Sequence, residues 1–184
     1  MSASPQDLMT AKLFFNAAFP TMQVLLDDDP KLHKKFQNFN ATVQFGAMND
    51  GELLCCHLIF QNGNLTVVQG PAEKSDISLT FSSVEKMNSL LKGGLSLPSI
   101  KGNLSLLPNV LSILMGLKIM TKPNDKLKND TEKLLKVKCS LYMITRALSQ
   151  YNKLGDPDMQ EFCRRQPDRI YQFQVAVSYT HLRA

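Results

Sequence analysis

The stretch Leu53-Leu-Cys-Cys-His-Leu-Ile-Phe-Gln-Asn-Gly-Asn-Leu-Thr-Val-Val-Gln69 decides the fold. Two apolar runs flank Asn62-Gly63-Asn64, and a glycine there supplies the positive φ that a tight hairpin turn needs. Residues 53–61 and 65–69 are therefore read as two antiparallel strands. Just upstream, Asn49-Asp50-Gly51 repeats the signal, and Thr42, Val43, Gln44 and Phe45 begin another strand before it. Two such turns between apolar runs predict a three-stranded antiparallel meander.

Downstream, Ile77, Leu79 and Phe81 alternate with Ser78 and Thr80, which predicts a fourth strand over 77–81. Ser82 and Glu85 stand at capping-box spacing, so a helix is expected to run to about Lys92 and stop at Gly93-Gly94. Residues 101–106 alternate again, Asn103 and Ser105 against Leu104 and Leu106, and are read as a fifth strand. Pro108 opens a helix over 108–120. After Pro123 a long helical pattern covers 124–153, with Leu134, Val137, Leu141, Ile144, Leu148 and Tyr151 forming one seam. Gly155-Asp156-Pro157 marks a boundary. Beyond it, residues 158–165 read as a short helix and 169–177 as a strand, and a lone strand needs a sheet to join.

Upstream of the meander, residues 8–26 carry apolar residues at helical spacing, and Pro20 is expected to kink or break that helix because it removes a backbone donor. The run Asp27-Asp28-Asp29 offers a cap for a short helix begun by Pro30. The pattern as a whole predicts an α+β fold, a five-stranded mainly antiparallel sheet covered by helices. The expected organisation is a domain over 1–122, a connecting helix over 123–154, and the start of an incomplete second segment over 155–184. The last residues, Ser-Tyr-Thr-His-Leu-Arg-Ala over 178–184, look like translated sequencing-adapter read-through, so the natural chain is expected to continue differently after about Ala176.

Composition narrows the class. The chain has 184 residues, 43% of them hydrophobic, which suffices for one well-buried domain with a short appendage. Aromatics make up 8% and Trp is absent, so the apolar content is mostly aliphatic and Met. A formal charge of +5 is weak evidence for anionic partners and fits a cytoplasmic protein equally well. Cys55, Cys56, Cys139 and Cys163 include no Cys-x-x-Cys pair and are read as reduced thiols. His33, His57 and His181 do not stand near a cysteine pair at metal-site spacing, so no metal and no other cofactor is expected. The start of the sequence lacks the pattern of a signal peptide, and no stretch is apolar over the roughly 20 residues that a bilayer span needs.

Three stretches carry a resemblance to the sterol carrier protein type 2 family, over about 36–120. The first is Leu58-Ile-Phe-Gln-Asn-Gly-Asn-Leu-Thr-Val67, which with Val68 looks like the family's hairpin. The second is Ser75-Asp-Ile-Ser-Leu-Thr-Phe-Ser-Ser-Val-Glu-Lys-Met-Asn-Ser-Leu-Leu-Lys-Gly93, similar to the family's Asp, alternating strand, capped helix and closing Gly. The third, Ile100-Lys-Gly-Asn-Leu-Ser-Leu106, resembles the strand that runs into the family's last apolar helix. The resemblance implies binding of sterols, fatty acyl chains, acyl-CoA or phospholipids in an apolar tunnel between sheet and helices. The longer tail after Thr121 looks like bacterial proteins that carry such a domain, and the chain lacks a Ser-Lys-Leu-type ending.

The helix over 108–120 is the candidate site. Wound at 100° per residue, Val110, Ile113, Leu114, Leu117 and Met120 make one apolar stripe, and Leu111, Met115 and Ile119 a second. One stripe can pack on the sheet. The second must meet the following helix, a ligand, another subunit or a membrane. Leu111, Leu114, Met115, Leu117, Ile119 and Met120 are thus the expected tunnel residues, with Phe60, Leu79, Phe81, Leu90 and Leu91 as second choices. Met87, Met115 and Met120 suit either an adaptable pocket or irregular core filling.

The expected function is non-catalytic binding, and transfer, of a lipid or other hydrophobic small molecule. The alternative is an accessory or dimerisation module, with a homodimer formed through the 134–151 helix. Lysines from Lys118 to Lys138, diluted by Asp125, Asp130 and Glu132, fit a solvated face or weak contact with anionic membranes. They lack the interleaved aromatics of a nucleic-acid site. Cys56 and His57 are neighbours in a strand and point to opposite faces, so they form no local catalytic pair. No phosphate loop, nucleophile elbow or dinucleotide fingerprint is present.

Overall fold

The computed structural model describes residues 2–92, 94–116, 124–127 and 129–154. The readings of 155–184 and of residues 117–123 lie outside the described residues. The chain divides into two compact units, Met1–Met143 and Ile144–Ala184. The sheet, its helices and the candidate site all belong to the first.

The meander forms as its turns dictate. β1 (Ala41–Asn49), β2 (Glu52–Gln61) and β3 (Asn64–Gln69) pair antiparallel, with Ala41 opposite Phe60 and Phe60 opposite Leu65. Asp50 and Gly51 have φ of 52° and 87°, and Asn62 and Gly63 have 50° and 83°. Positive φ at both central residues is the hairpin geometry whose twist matches the flanking strands. β4 (Ile77–Phe81) returns beside β1 and runs parallel to it, with Val43 opposite Ile77. β5 (Ser99–Gly102) closes the far edge antiparallel to β4. The sheet order is β3-β2-β1-β4-β5. This is the expected α+β fold, with one parallel pair in an otherwise antiparallel sheet.

Alternation sorts the two faces. Val43, Phe45, Ala47, Cys56, Leu58, Phe60, Ile77, Leu79 and Phe81 are buried on one side. Thr42, Gln44, Met48, His57, Thr66, Val68, Ser78 and Thr80 are half-buried or exposed on the other. The buried face is roofed by the N-terminal helices and by α4 (Val84–Leu91). The ring of Phe19 meets Phe45 edge-on at 5.2 Å, and Phe45 lies 5.4 Å from Phe81. Phe36, Phe39 and Phe60 make a second aromatic group, with centroids 5.0 to 5.5 Å apart. At the β3 edge, Leu65 N donates to Gln23 Oε1 at 2.6 Å, so a helix side chain satisfies an edge donor.

Pro20 does not break the first helix. α1 (Pro5–Leu13) passes through a π-helical turn (Phe14–Ala18) into α2 (Phe19–Asp28). Phe19 N donates to Phe14 O, five residues back. The wider turn changes the bonding pattern just before Pro20, which then falls in the first turn of α2, where a missing donor costs little. Asp29 caps α3 (Pro30–Phe36), its carboxylate accepting from Lys31 N at 2.9 Å and Leu32 N at 3.3 Å. The cap of α4 is Ser83, not Ser82: Ser83 Oγ accepts from Lys86 N. Ser82 Oγ instead accepts from Lys86 Nζ at 3.0 Å.

The fifth strand begins and ends earlier than residues 101–106. Gly102, at φ 100°, turns the chain away from β4. The Asn103 side chain then accepts from Ser105 N at 3.1 Å and starts a 3₁₀ turn over Leu104–Leu106. A local side-chain bond there outcompetes the apparent strand alternation. α6 (Asp130–Leu154) packs on the body through Leu135 and Cys139, both buried, while Leu134 and Val137 of the expected seam are exposed. Lys138 Nζ pairs with Asp28 at 2.9 Å beside that contact.

Candidate ligand-binding face

α5 (Leu107–Gly116) follows the Asn103-capped turn directly, so its start is set by a local bond. Its orientation is set by a close approach. A Cβ on Gly116 would stand 3.0 Å from Leu32 Cδ1 and 3.3 Å from Leu25 Cδ1, so a small residue lets α5 sit against α2 and α3. Lys35 fastens the other end. Its Nζ donates to Pro108 O at 3.2 Å and to Ser112 Oγ, and Ser112 Oγ donates to the same carbonyl at 2.7 Å.

The two apolar stripes of α5 have different fates. Val110 and Ile113 are buried in the core, and Leu114 is half-buried against it. Leu111 is 49% exposed and Met115 57% exposed. Nothing among the described residues encloses Leu111 or Met115. The Leu111–Met115 pair, one turn apart, is an apolar strip open to water. Leaving a large apolar side chain exposed forfeits about 1.5–3 kcal/mol relative to full burial.

Half-buried apolar side chains gather in the same part of the chain. Leu90 and Leu91 on α4, Ile100 on β5, Leu106 before α5, and Leu107 and Leu114 within it all rest on the core without being enclosed by it. α4 packs on α1, β1 and β4, whereas α5 packs on α2 and α3. The two helices therefore have different supports.

The expected site residues thus fall into four groups. Leu90, Leu91 and Leu114 are half-buried. Leu111 and Met115 are open. Phe60, Leu79 and Phe81 lie sealed in the core, Phe60 and Phe81 in the aromatic contacts given above. Leu117, Ile119 and Met120 lie outside the described residues.

Reading the sequence missed two features. Leu95 and Leu97 stand essentially fully exposed in the loop between α4 and β5. Asn88, on α4, is 2% exposed. Its Nδ2 donates to Asp7 O at 3.0 Å and to Asp7 Oδ1 at 3.2 Å, while its Oδ1 has no partner among the described residues. An apolar-periodicity search passes over both, one being loop and the other polar.

The titratable groups are dispersed. Cys56 faces the core, and burial pushes its thiol far up from the usual value. His57 points the other way, with Nδ1 3.0 Å from Gly70 O. His33 Nδ1 lies 3.0 Å from Leu26 O. Among the described residues no group of three or more His, Cys, Asp or Glu could hold a metal ion. No helix among them is long and apolar enough to cross a membrane.

No protein-family model matches the chain, and no curated protein matches it. Among solved structures, the chain is similar to the solution structure of the sterol carrier protein domain 2 of Helicoverpa armigera, at 18% identity over 70% of this chain and 98% of that one, with a TM-score of 0.42. It is also similar to a UbiJ-SCP2 ubiquinone synthesis protein, at 13% identity over 61% of this chain and 97% of that one, with a TM-score of 0.41.

Proposed function

We propose that this chain is a sterol-carrier-like module that binds an apolar small molecule non-covalently and catalyses nothing. The ligand class is a sterol, a fatty acid or an acyl-CoA. The observation that carries the reading is the open Leu111–Met115 strip of α5, on a helix whose opposite side is buried. Leu114 on the same helix, Leu90 and Leu91 on α4 and Ile100 on β5 are half-buried apolar side chains that rest on the same core. The three ordered stretches of family resemblance and the order of elements support it further.

Binding on such a surface draws its affinity from apolar area removed from water, and few polar groups set orientation. Specificity for the apolar part is therefore loose. Ser112, between Leu111 and Met115 on the helix, and Lys35 already bond to each other and to Pro108 O. Leu117, Ile119 and Met120 are proposed as further ligand-binding residues.

Native mass spectrometry of the purified protein tests this reading. An adduct of lipid mass is expected, and it is lost in Leu114→Asp while the fold survives by circular dichroism. Uptake of a fluorescent fatty acid should follow the same pattern. A well-folded protein that shows only its own mass and takes up no fatty acid overturns the reading. If light scattering then gives a stable dimer, the exposed Leu134 and Val137 of α6 become the surface to examine.

A further inference from the structure

The loop between α4 and β5 reads Gly94-Leu-Ser-Leu-Pro98, and both of its leucines are essentially fully exposed. Neither end of the loop is free to fold them away. Gly94 N donates to Ser89 O at 2.8 Å, and a Cβ at Gly94 would meet Ser89 Oγ at 2.5 Å, so the loop root is seated on the end of α4. At the other end Ser99 pairs with Thr80 in the sheet. Leu95 and Leu97 are thus presented to the surroundings by a short segment fixed on both sides.

Charge shows what such a segment fits. Between Glu85 and Asp125 the sequence holds no acidic residue, but it holds Lys86, Lys92, Lys101, Lys118 and Lys122. Lys92 and Lys101 flank the leucine loop in sequence, and both are exposed. One carboxylate acts on Lys92 from another element: Asp7 of α1, which Ser4 and Asn88 already hold by hydrogen bonds. Exposed apolar tips flanked by cations fit an anionic lipid surface, where apolar side chains enter the interface and lysines meet the headgroups. A second copy of this chain would bring the same cations against each other.

We infer that the Gly94–Pro98 loop docks this protein on anionic bilayers, with Leu95 and Leu97 inserted and Lys92 and Lys101 against the headgroups. Docking of this kind needs no bound ligand and does not rest on the proposed function. It deepens that function by naming a lipid surface as the place where an apolar cargo would be collected.

Co-sedimentation of the full chain with phosphatidylcholine vesicles, with and without phosphatidylserine, is the test. The protein is expected to sediment with the anionic vesicles and to be released by salt. Leu95→Ser/Leu97→Ser, and separately Lys92→Glu/Lys101→Glu, should each weaken binding by about tenfold or more. Leu134→Ser/Val137→Ser, at exposed positions on α6, should bind as the unmodified chain does. All the altered side chains are exposed, so the variants should keep the parent's melting temperature. Failure of the unmodified chain to sediment with anionic vesicles overturns the inference, as does undiminished binding by the loop variant. So does a dimer that the loop variant breaks, since a second copy would then be what covers the leucines. The loop variant should still take up fluorescent fatty acid from solution, and Leu114→Asp should lose uptake while still docking, which separates the two hypotheses.

Discussion

Thr42 and Asp76 exchange two hydrogen bonds where the parallel pair β1–β4 begins. Thr42 N donates to Asp76 Oδ2 at 2.7 Å, and Asp76 N donates to Thr42 O at 2.8 Å. The Asp76 carbonyl also accepts from Asn103 N at 2.7 Å, so one residue joins the starts of two strands to the exit of a third. Losing one bond from a backbone donor to a charged acceptor costs about 1–2 kcal/mol at a partly exposed site. Asp76→Ala should lose stability of that order in urea denaturation at neutral pH. Asp76→Asn keeps an acceptor oxygen and should lose less. A Thr42 donor equally well served by water would leave both variants at the parent midpoint.

The cap of α4 separates two adjacent serines. Ser83 Oγ accepts from Lys86 N, whereas Ser82 Oγ accepts from the Lys86 side chain. Ser83→Ala should therefore cost about 0.5–1 kcal/mol, and Ser82→Ala less than about 0.5 kcal/mol. Chemical denaturation of the two variants side by side decides it, and the reverse order would move the helix start by one residue.

That one-residue displacement shows where sequence reading ran out. Strands marked by turns were legible. Asn62-Gly63 and Asp50-Gly51 carry the positive φ values that their residue types favour, and the alternation of Ile77, Leu79 and Phe81 fixed a buried face. The parallel placement of β4 beside β1 was not legible, because alternation says which face a strand buries and nothing about its neighbour. β5 was misplaced because Asn103-Leu104-Ser105-Leu106 alternates like a strand, while the Asn103 side chain bonds locally and winds it into a turn. On α5 the two stripes were legible. Which of them stays open was not, since that depends on how closely Gly116 lets the helix approach Leu32 and Leu25.

Gly46 stands opposite Cys55 in the β1–β2 ladder. A Cβ at Gly46 would fall against Cys55 Cβ, and would also come to 2.7 Å from Leu54 O and 2.9 Å from Cys55 Cα. The obstacle is backbone as well as side chain. Gly46→Ala should destabilise by about 1–3 kcal/mol, the usual range for overpacking. Removing the Cys55 side chain as well, in Gly46→Ala/Cys55→Gly, should restore little of it, because Leu54 O remains. Full recovery in the double variant, read from urea midpoints, would show that the thiol side chain alone set the constraint.

Cys139 links α6 to the stability of the body at high pH. Its thiol is buried, and burial first, then the nearby Asp28 carboxylate, push its pKa from 9.0 to about 12, against the opposing pull of Lys138. In the unfolded chain the same thiol ionises near its ordinary value. Between those two values the folded state holds a proton that the unfolded state has released, so the thiol's contribution is complete below about pH 9 and declines as pH rises toward about 12. One group titrating this way changes stability by at most about 1.4 kcal/mol per pH unit. Cys139→Ala lacks the thiol. It should be less stable than the parent at about pH 8, through lost packing, and the gap should narrow by about 1 kcal/mol by about pH 10. Ionisations common to the two proteins largely cancel in the difference. Urea denaturation of the pair at the two pH values measures the narrowing. Parallel curves would mean that the thiol ionises as readily in the folded state as in the unfolded one, and that α6 opens at that position.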